Sequence, residues 1–249
     1  MISIAIYNLK GGVGKTTSAV NLAYLAAEAG KNTVLWDWDP QGAASWYLGG
    51  DQSRKKAIRM VSKGETVGSM EVITPYPNLS LVPADLSLRK ADTELAGQAG
   101  AKRLLKKMVE PVTKEASVLI FDCPPSLSPS VEYLLSGVDL VLVPMIPSPL
   151  SIRAMEQLME FYQGVKGGPA DIRGFFTMVD MRRRIHIQTL GQAKKLPIPM
   201  LKNWIPVDSG AEQMGERRAP LTSYDRSGRA AVAYQKMWKE IARLSKGQI

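Results

Sequence analysis

Two kinds of apolar pattern alternate along the chain. Short continuous runs, many of them β-branched, occur at MISIAIY, at Asn32 to Trp36, at NLSLVPA, at Val118 to Phe121, at VDLVLVPM and at DIRGFFTMVD. Runs of this length read as buried strands. Between them lie stretches with helical spacing. TTSAVNLAYLAAEAGK is rich in Ala and Leu and is ended by Gly30. AKRLLKKMVEPVT is a helix that Pro111 ends or kinks, Val131 to Ser136 is a third, and IPSPLSIRAMEQLMEFYQ enters a long helix near Pro149. MRRRIHIQTLGQAKKL predicts another. From about Arg226 to Ser245, apolar Ala230, Tyr234, Met237, Trp238, Ile241 and Leu244 fall on one helical face, which reads as core. Alternating strands and helices predict an α/β fold, a doubly wound, mostly parallel sheet flanked by helices. The pattern does not order the strands. Residues 51–80 are the least informative: RKKAIRMVSKG suits a short amphipathic helix, and Pro75 and Pro77 break the chain before the third strand.

Chemistry enters at the first strand-to-helix junction. NLKGGVGKTT, Asn8 to Thr17, lies between a buried strand and a helix, the setting of a phosphate-binding loop. Gly11, Gly12 and Gly14 let the backbone curl and turn its N–H groups toward a polyphosphate, and the helix N-terminus adds positive character there. Gly11, Gly12, Val13, Gly14, Lys15, Thr16 and Thr17 are therefore the candidate nucleotide contacts, with Lys15 on the β- and γ-phosphates and the Thr16 hydroxyl on Mg²⁺.

Two further strand ends carry acids. Asp37-Trp38-Asp39-Pro40-Gln41-Gly42 follows the second strand, and Asp122-Cys123-Pro124-Pro125 follows the strand that begins at Val118. In an open parallel sheet these ends lie beside the phosphate loop.

K-G-G-x-G-K-T-T departs from the common phosphate-loop pattern, with Leu9 where a glycine is usual and Lys10 opening the loop. It resembles the deviant Walker A box of the ParA/MinD family of ATPases. D-W-D-P-Q-G resembles that family's second box and D-C-P-P its Walker B box. The resemblance runs from Lys10 to the last helix, and it implies a single ParA-like P-loop ATPase domain over residues 1–249, using ATP and Mg²⁺. Lys10 would reach across a dimer interface to the nucleotide of the other subunit. Asp39 would polarise the attacking water, Asp122 would hold a Mg²⁺-bound water, and Asp37 would be a Mg²⁺-shell or structural carboxylate. NWIPVDSG resembles the strand and turn beside the adenine, making Pro206, Val207 and Asp208 purine-pocket candidates. Pro147 to Leu150 resembles a turn at the dimer interface.

The single cysteine, Cys123, excludes an internal disulfide and argues against the nitrogenase iron-protein branch, which needs two per subunit. No apolar run approaches the ~20 residues of a membrane span, and no signal peptide is visible. Lys plus Arg is 32 against 23 Asp plus Glu, a net charge of +9 that suits a polyanionic partner. Basic residues concentrate toward the C-terminal third, where Lys202, Arg217, Arg218, Arg226, Arg229 and Lys236 are the candidate DNA contacts. Arg182 to Arg184 fit phosphate contact and a solvated helix start equally.

With the resemblance, these features imply slow hydrolysis of ATP to ADP and phosphate by a homodimer on non-specific double-stranded DNA. A cargo-linked partner protein would trigger the reaction in a cytoplasmic, nucleoid-associated cycle with no membrane partner. Two alternatives share the fold: a MinD-like ATPase that cycles on membrane, and a biosynthetic ATPase that activates a carboxylate. No segment remains after the last helix to serve as a detachable membrane helix, and Lys10 with D-x-D-P-Q-G favours the partition branch.

Overall fold

The computed structural model describes residues 1–50, 72–84, 110, 116–164 and 171–245. The expected amphipathic helix within residues 51–80, the expected helix at 101–113 and the linker after Gly164 lie outside these residues, Glu110 excepted.

Seven strands form one sheet: β1 (Ile2–Ile6), β2 (Thr33–Asp37), β3 (Val72–Ile73), β4 (Leu79–Val82), β5 (Val118–Asp122), β6 (Leu140–Met145) and β7 (Asp171–Phe176). Their order is β3-β4-β2-β5-β1-β6-β7. All pairings are parallel except β3 with β4, so a short antiparallel strand closes one edge. The sequence pattern had not indicated β3.

The central strands are buried along their length and largely apolar because both faces are covered. Ile2, Ile4 and Ile6 of β1 point into one core, with α1 (Lys15–Glu28) and the C-terminal helix; Ala5 points into the other. That second core contains Val131, Leu134 and Leu135 of α3 (Pro129–Gly137), and Met155, Leu158 and Tyr162 of α4 (Pro149–Gly164). A short helix, α2 (Ala43–Tyr47), which the periodicity did not predict, follows the acidic turn after β2.

Beyond β7 the chain is more broken than the pattern suggested. The strand expected to run to Asp180 stops at Phe176, and Val179 pairs with Pro206 in an isolated bridge. The helix expected over residues 181–196 is α5 (Arg184–Gly191) plus a 3₁₀ turn at Ala193–Lys195. Three single turns follow, α6 (Ser209–Glu212), α7 (Met214–Arg217) and α8 (Leu221–Tyr224), then α9 (Arg229–Leu244).

The face of α9 expected to be apolar buries Ala230, Tyr234, Met237, Trp238 and Ile241, each large side chain contributing about 1.5–3 kcal/mol of transfer free energy. Leu244 is the exception: in the last turn it is exposed. Polar bonds fix this end of the chain against the loop-bearing helix. Ser18 Oγ lies 3.0 Å from the Tyr234 hydroxyl, and Asn21 Oδ1 accepts from the Leu221 amide at 2.9 Å. A helix held by directional buried bonds is seated as core, as its stripe implied.

Candidate nucleotide site

The carboxyl ends of β1, β2, β5 and β6 converge, and each delivers one part of the site. After β1, Asn8 fixes the base of the glycine loop. Its Nδ2 donates to the Pro144 carbonyl at 2.7 Å, and its Oδ1 accepts from the Lys10 amide at 2.9 Å. Gly12 and Gly14 take φ of 70° and 82°, where any other residue would be strained. Gly14 then caps α1, accepting the Ser18 amide at 3.0 Å. Thr177, just past β7, closes the far wall: its hydroxyl donates to the Val13 carbonyl at 2.9 Å.

Lys15 is 7% exposed, and its ammonium donates to the Lys10 carbonyl at 2.9 Å. Burial pushes its pKa below the usual lysine range, while Asp122 and Asp39 pull it back up. Lys10 is half-buried, and among the described residues its side chain makes no ion pair. The two lysines that open and close the loop are thus placed differently, one inside and one at its mouth.

Asp37 and Asp122 face each other across the β2–β5 register, and both are fully buried. Their surroundings differ. Asp37 Oδ2 accepts from the amide and hydroxyl of Ser45 at 2.8 and 2.7 Å, and Oδ1 from the Asp39 amide at 3.2 Å. Burial pushes its pKa up to about 6, against the pull of the Ser45 bonds. Both oxygens of Asp122 are buried and complete no hydrogen bond, although the Thr16 hydroxyl is close enough to favour the ionised form. Burial, then the nearby Asp37, raises its pKa well above the carboxylate range. Asp37, expected as a Mg²⁺-shell or structural carboxylate, thus has both oxygens engaged by the protein beside Asp122. Asp39 is half-buried, and its Oδ1 accepts from the Gln41 amide at 2.9 Å in the turn ahead of α2. Cys123 is fully buried, and burial pushes its thiol pKa up, away from the reactive thiolate.

Sequence relatives of matching length bear on what this site belongs to. The chain is 31% identical over 245 residues to the chromosome-partitioning ATPase Soj of Treponema pallidum, covering 96% of both chains. The chain belongs to the ParA/MinD family of P-loop ATPases. It is also 31% identical over 246 residues to the sporulation initiation inhibitor protein Soj of Bacillus subtilis, covering 96% of this chain and 97% of that one. A family described as AAA domain matches residues 1–169. Among solved structures, cobyrinic acid a,c-diamide synthase from Mycobacterium smegmatis, bound to an ATP analogue and magnesium, superposes with a TM-score of 0.84 at 25% identity. The match covers all of this chain and 97% of that one. The expected ParA/MinD fold is therefore the observed one.

Beyond the end of β7 lies a cavity of about 310 Å³ lined by Val179, Arg182, Trp204, Pro206, Val207 and Arg229 among others. Two of the expected purine contacts, Pro206 and Val207, line it. Asp208 is not among its lining residues, and its carboxylate is committed to the backbone. Oδ1 accepts from the Gly210 amide at 2.9 Å to cap α6, and Oδ2 from the Ala230 amide at 3.1 Å at the start of α9. An aspartate ahead of Ser-Gly is a helix cap by its own chemistry, and that signal was available in the sequence. Asn8 and Trp204 lay inside stretches already singled out but were given no role of their own, and Thr177, inside a run read as strand, carried no site signal.

All six basic residues expected at DNA are exposed. The structure ties four of them to separate places. Arg217 stacks on Tyr224 with its guanidinium 4.7 Å from the ring centroid, and Arg218 on Trp46 at 4.0 Å. Arg226 pairs with Glu28, and Arg229 donates to the Val207 carbonyl at 3.1 Å. Arg182 lies outside that set and pairs bidentately with Asp180, holding the start of the α5 segment.

Proposed function

We propose that this protein is an ATPase that dimerises on ATP, binds double-stranded DNA without sequence preference and positions or partitions a cargo. Asp122 carries the reading: it presents two buried carboxylate oxygens that complete no hydrogen bond, beside Thr16 and the buried Lys15. Two buried acids paired in register, one of them with no completed hydrogen bond, suit a divalent cation on a polyphosphate. Thr16 would hold Mg²⁺ directly, Asp122 through a water, and Asp37 would orient the shell from behind. Bound there, Mg²⁺ offsets phosphate charge. Lys15 binds the β- and γ-phosphates, the loop amides hold the chain of phosphates in line, and Asp39 orients the attacking water. Pro206 and Val207 support the base.

Lys10 serves a second subunit in this reading. Lys10→Ala keeps the backbone bonds to Asn8 and Lys15, so the loop retains its shape. Nucleotide affinity stays close to wild type, while the ATP-dependent dimer and hydrolysis are lost. Light scattering with ATP checks this, and a persistent ATP-induced dimer would remove the cross-subunit role.

DNA binding is tested by retardation with Asp39→Ala held in ATP, with ADP and without nucleotide, over a salt series. The dimer pools two basic surfaces on one duplex, so ATP raises affinity by far more than twofold. Each neutralised phosphate steepens log K against log[salt] by about 0.9. Arg217→Glu with Arg218→Glu weakens retention and flattens that slope. Equal binding with ATP and ADP, or no salt response, would rule out the DNA-carried cycle.

The likeness to the cobyrinic acid a,c-diamide synthase supports a second reading, ATP-dependent activation of a small carboxylic acid. Phosphate release that depends on such an acid, and not on DNA or a partner protein, would favour it.

A further inference from the structure

Arg218 stands in the left-handed backbone region, φ 48° and ψ 50°, which favours glycine. Its side chain explains the position. The guanidinium stacks 4.0 Å from the Trp46 ring centroid, and its Nε donates to the Trp46 carbonyl at 3.1 Å. The Trp46 indole N–H donates in turn to the Gly215 carbonyl at 3.3 Å, yet the residue is 52% exposed. A half-exposed tryptophan clasped in this way contributes less to the core than to fixing α2 against α7.

α2 is also bonded to the turn that carries Asp39. Ser45, the residue before Trp46, gives both its hydrogen bonds to Asp37, which accepts the Asp39 amide on its other oxygen. The Trp46 amide donates to the Gly42 carbonyl at 2.9 Å, and the Gly42 amide to the Asp39 carbonyl at 2.9 Å. An unbroken run of contacts thus joins a guanidinium on the basic surface to Asp39, through Trp46, Ser45 and Asp37. Arg218 is exposed and its two terminal nitrogens make no hydrogen bond among the described residues, so a phosphate can dock there with the stack intact.

We propose that Arg218 and Trp46 are positioning residues for hydrolysis, which set the placement of Asp39 and through which a DNA phosphate on Arg218 acts on the nucleotide site. This rests on the assignment of Asp39 as the water-orienting group. The test measures kcat with and without DNA, ATP affinity by calorimetry and DNA retention for Arg218→Ala, Arg218→Lys, Trp46→Ala and Trp46→Phe, with thermal melts to verify folding.

Both alanine variants are expected to lose roughly tenfold in kcat at unchanged ATP affinity, the penalty of a slightly misplaced group. Trp46→Phe keeps a flat ring and the carbonyl, and recovers most of the loss. Arg218→Lys keeps the charge and much of the DNA retention, but lacks the planar stack and the Nε bond, so kcat stays low. Wild-type kcat in Arg218→Ala or Trp46→Ala, alongside an inactive Asp39→Ala, would overturn the proposal. Full recovery in Arg218→Lys would also overturn it, reducing Arg218 to a phosphate contact. Normal hydrolysis by Asp39→Ala would instead sink the underlying assignment.

Discussion

Lys15→Ala is expected to leave the protein unable to hold Mg-ATP. The ammonium is buried at the head of α1, bonded to the Lys10 carbonyl and close in charge to Asp122 and Asp39. It is the cation that balances these acids. Its removal leaves polyphosphate facing a cluster of carboxylates with only loop amides to meet it. A charge-assisted hydrogen bond contributes about 1.5–3 kcal/mol, and contacts to two phosphates put the loss at roughly a hundredfold in affinity or more. Folding is expected to survive, because burial works against the charged lysine and its loss relieves that cost. Calorimetry with Mg-ATP, alongside a thermal melt, reads both effects. Unchanged affinity in a folded variant would take the nucleotide away from this loop.

Asp39→Ala is expected to separate binding from chemistry. The variant binds ATP and forms the dimer, but phosphate release falls by about 10²–10³, the usual contribution of a positioned acid or base. The structural cost is small. Asp39 loses the Oδ1 bond to the Gln41 amide, about 1 kcal/mol in a half-buried turn, while its own amide still bonds Asp37. Rapid phosphate detection on the ATP-loaded variant measures the rate. Wild-type turnover would move the water-orienting role elsewhere. Asp37, the other acid of the turn, is fully buried, with three hydrogen bonds on its two oxygens, and is poorly placed to take over.

The contrast between these two aspartates marks where reading the chain stops. D-W-D-P-Q-G places two acids at one strand end, and a motif cannot say which faces the ligand. The pleat and α2 decide it: Ser45, eight residues on, turns back to occupy Asp37. Likewise the basic residues before and within α9 are visible in sequence, but their anchors are not. Trp46 and Arg218 are 172 positions apart, and no periodicity links them.

The sequence by itself determined the local pieces. Strand, glycine turn and helix at Asn8 to Thr17 follow from backbone freedom and side-chain chemistry within a few residues. The apolar runs then required a sheet covered on both faces, and the stripe on the last helix required docking. Local rules settle such features because the competing interactions lie within one or two turns of the chain. Strand order, the antiparallel edge at β3 and the unpartnered oxygens of Asp122 were decided only by tertiary structure. Each depends on which distant group arrives at a given atom, as when β2 and β5 bring Asp37 opposite Asp122. Both lie in a low-dielectric interior, where Asp37 is held by three hydrogen bonds and neither oxygen of Asp122 completes one.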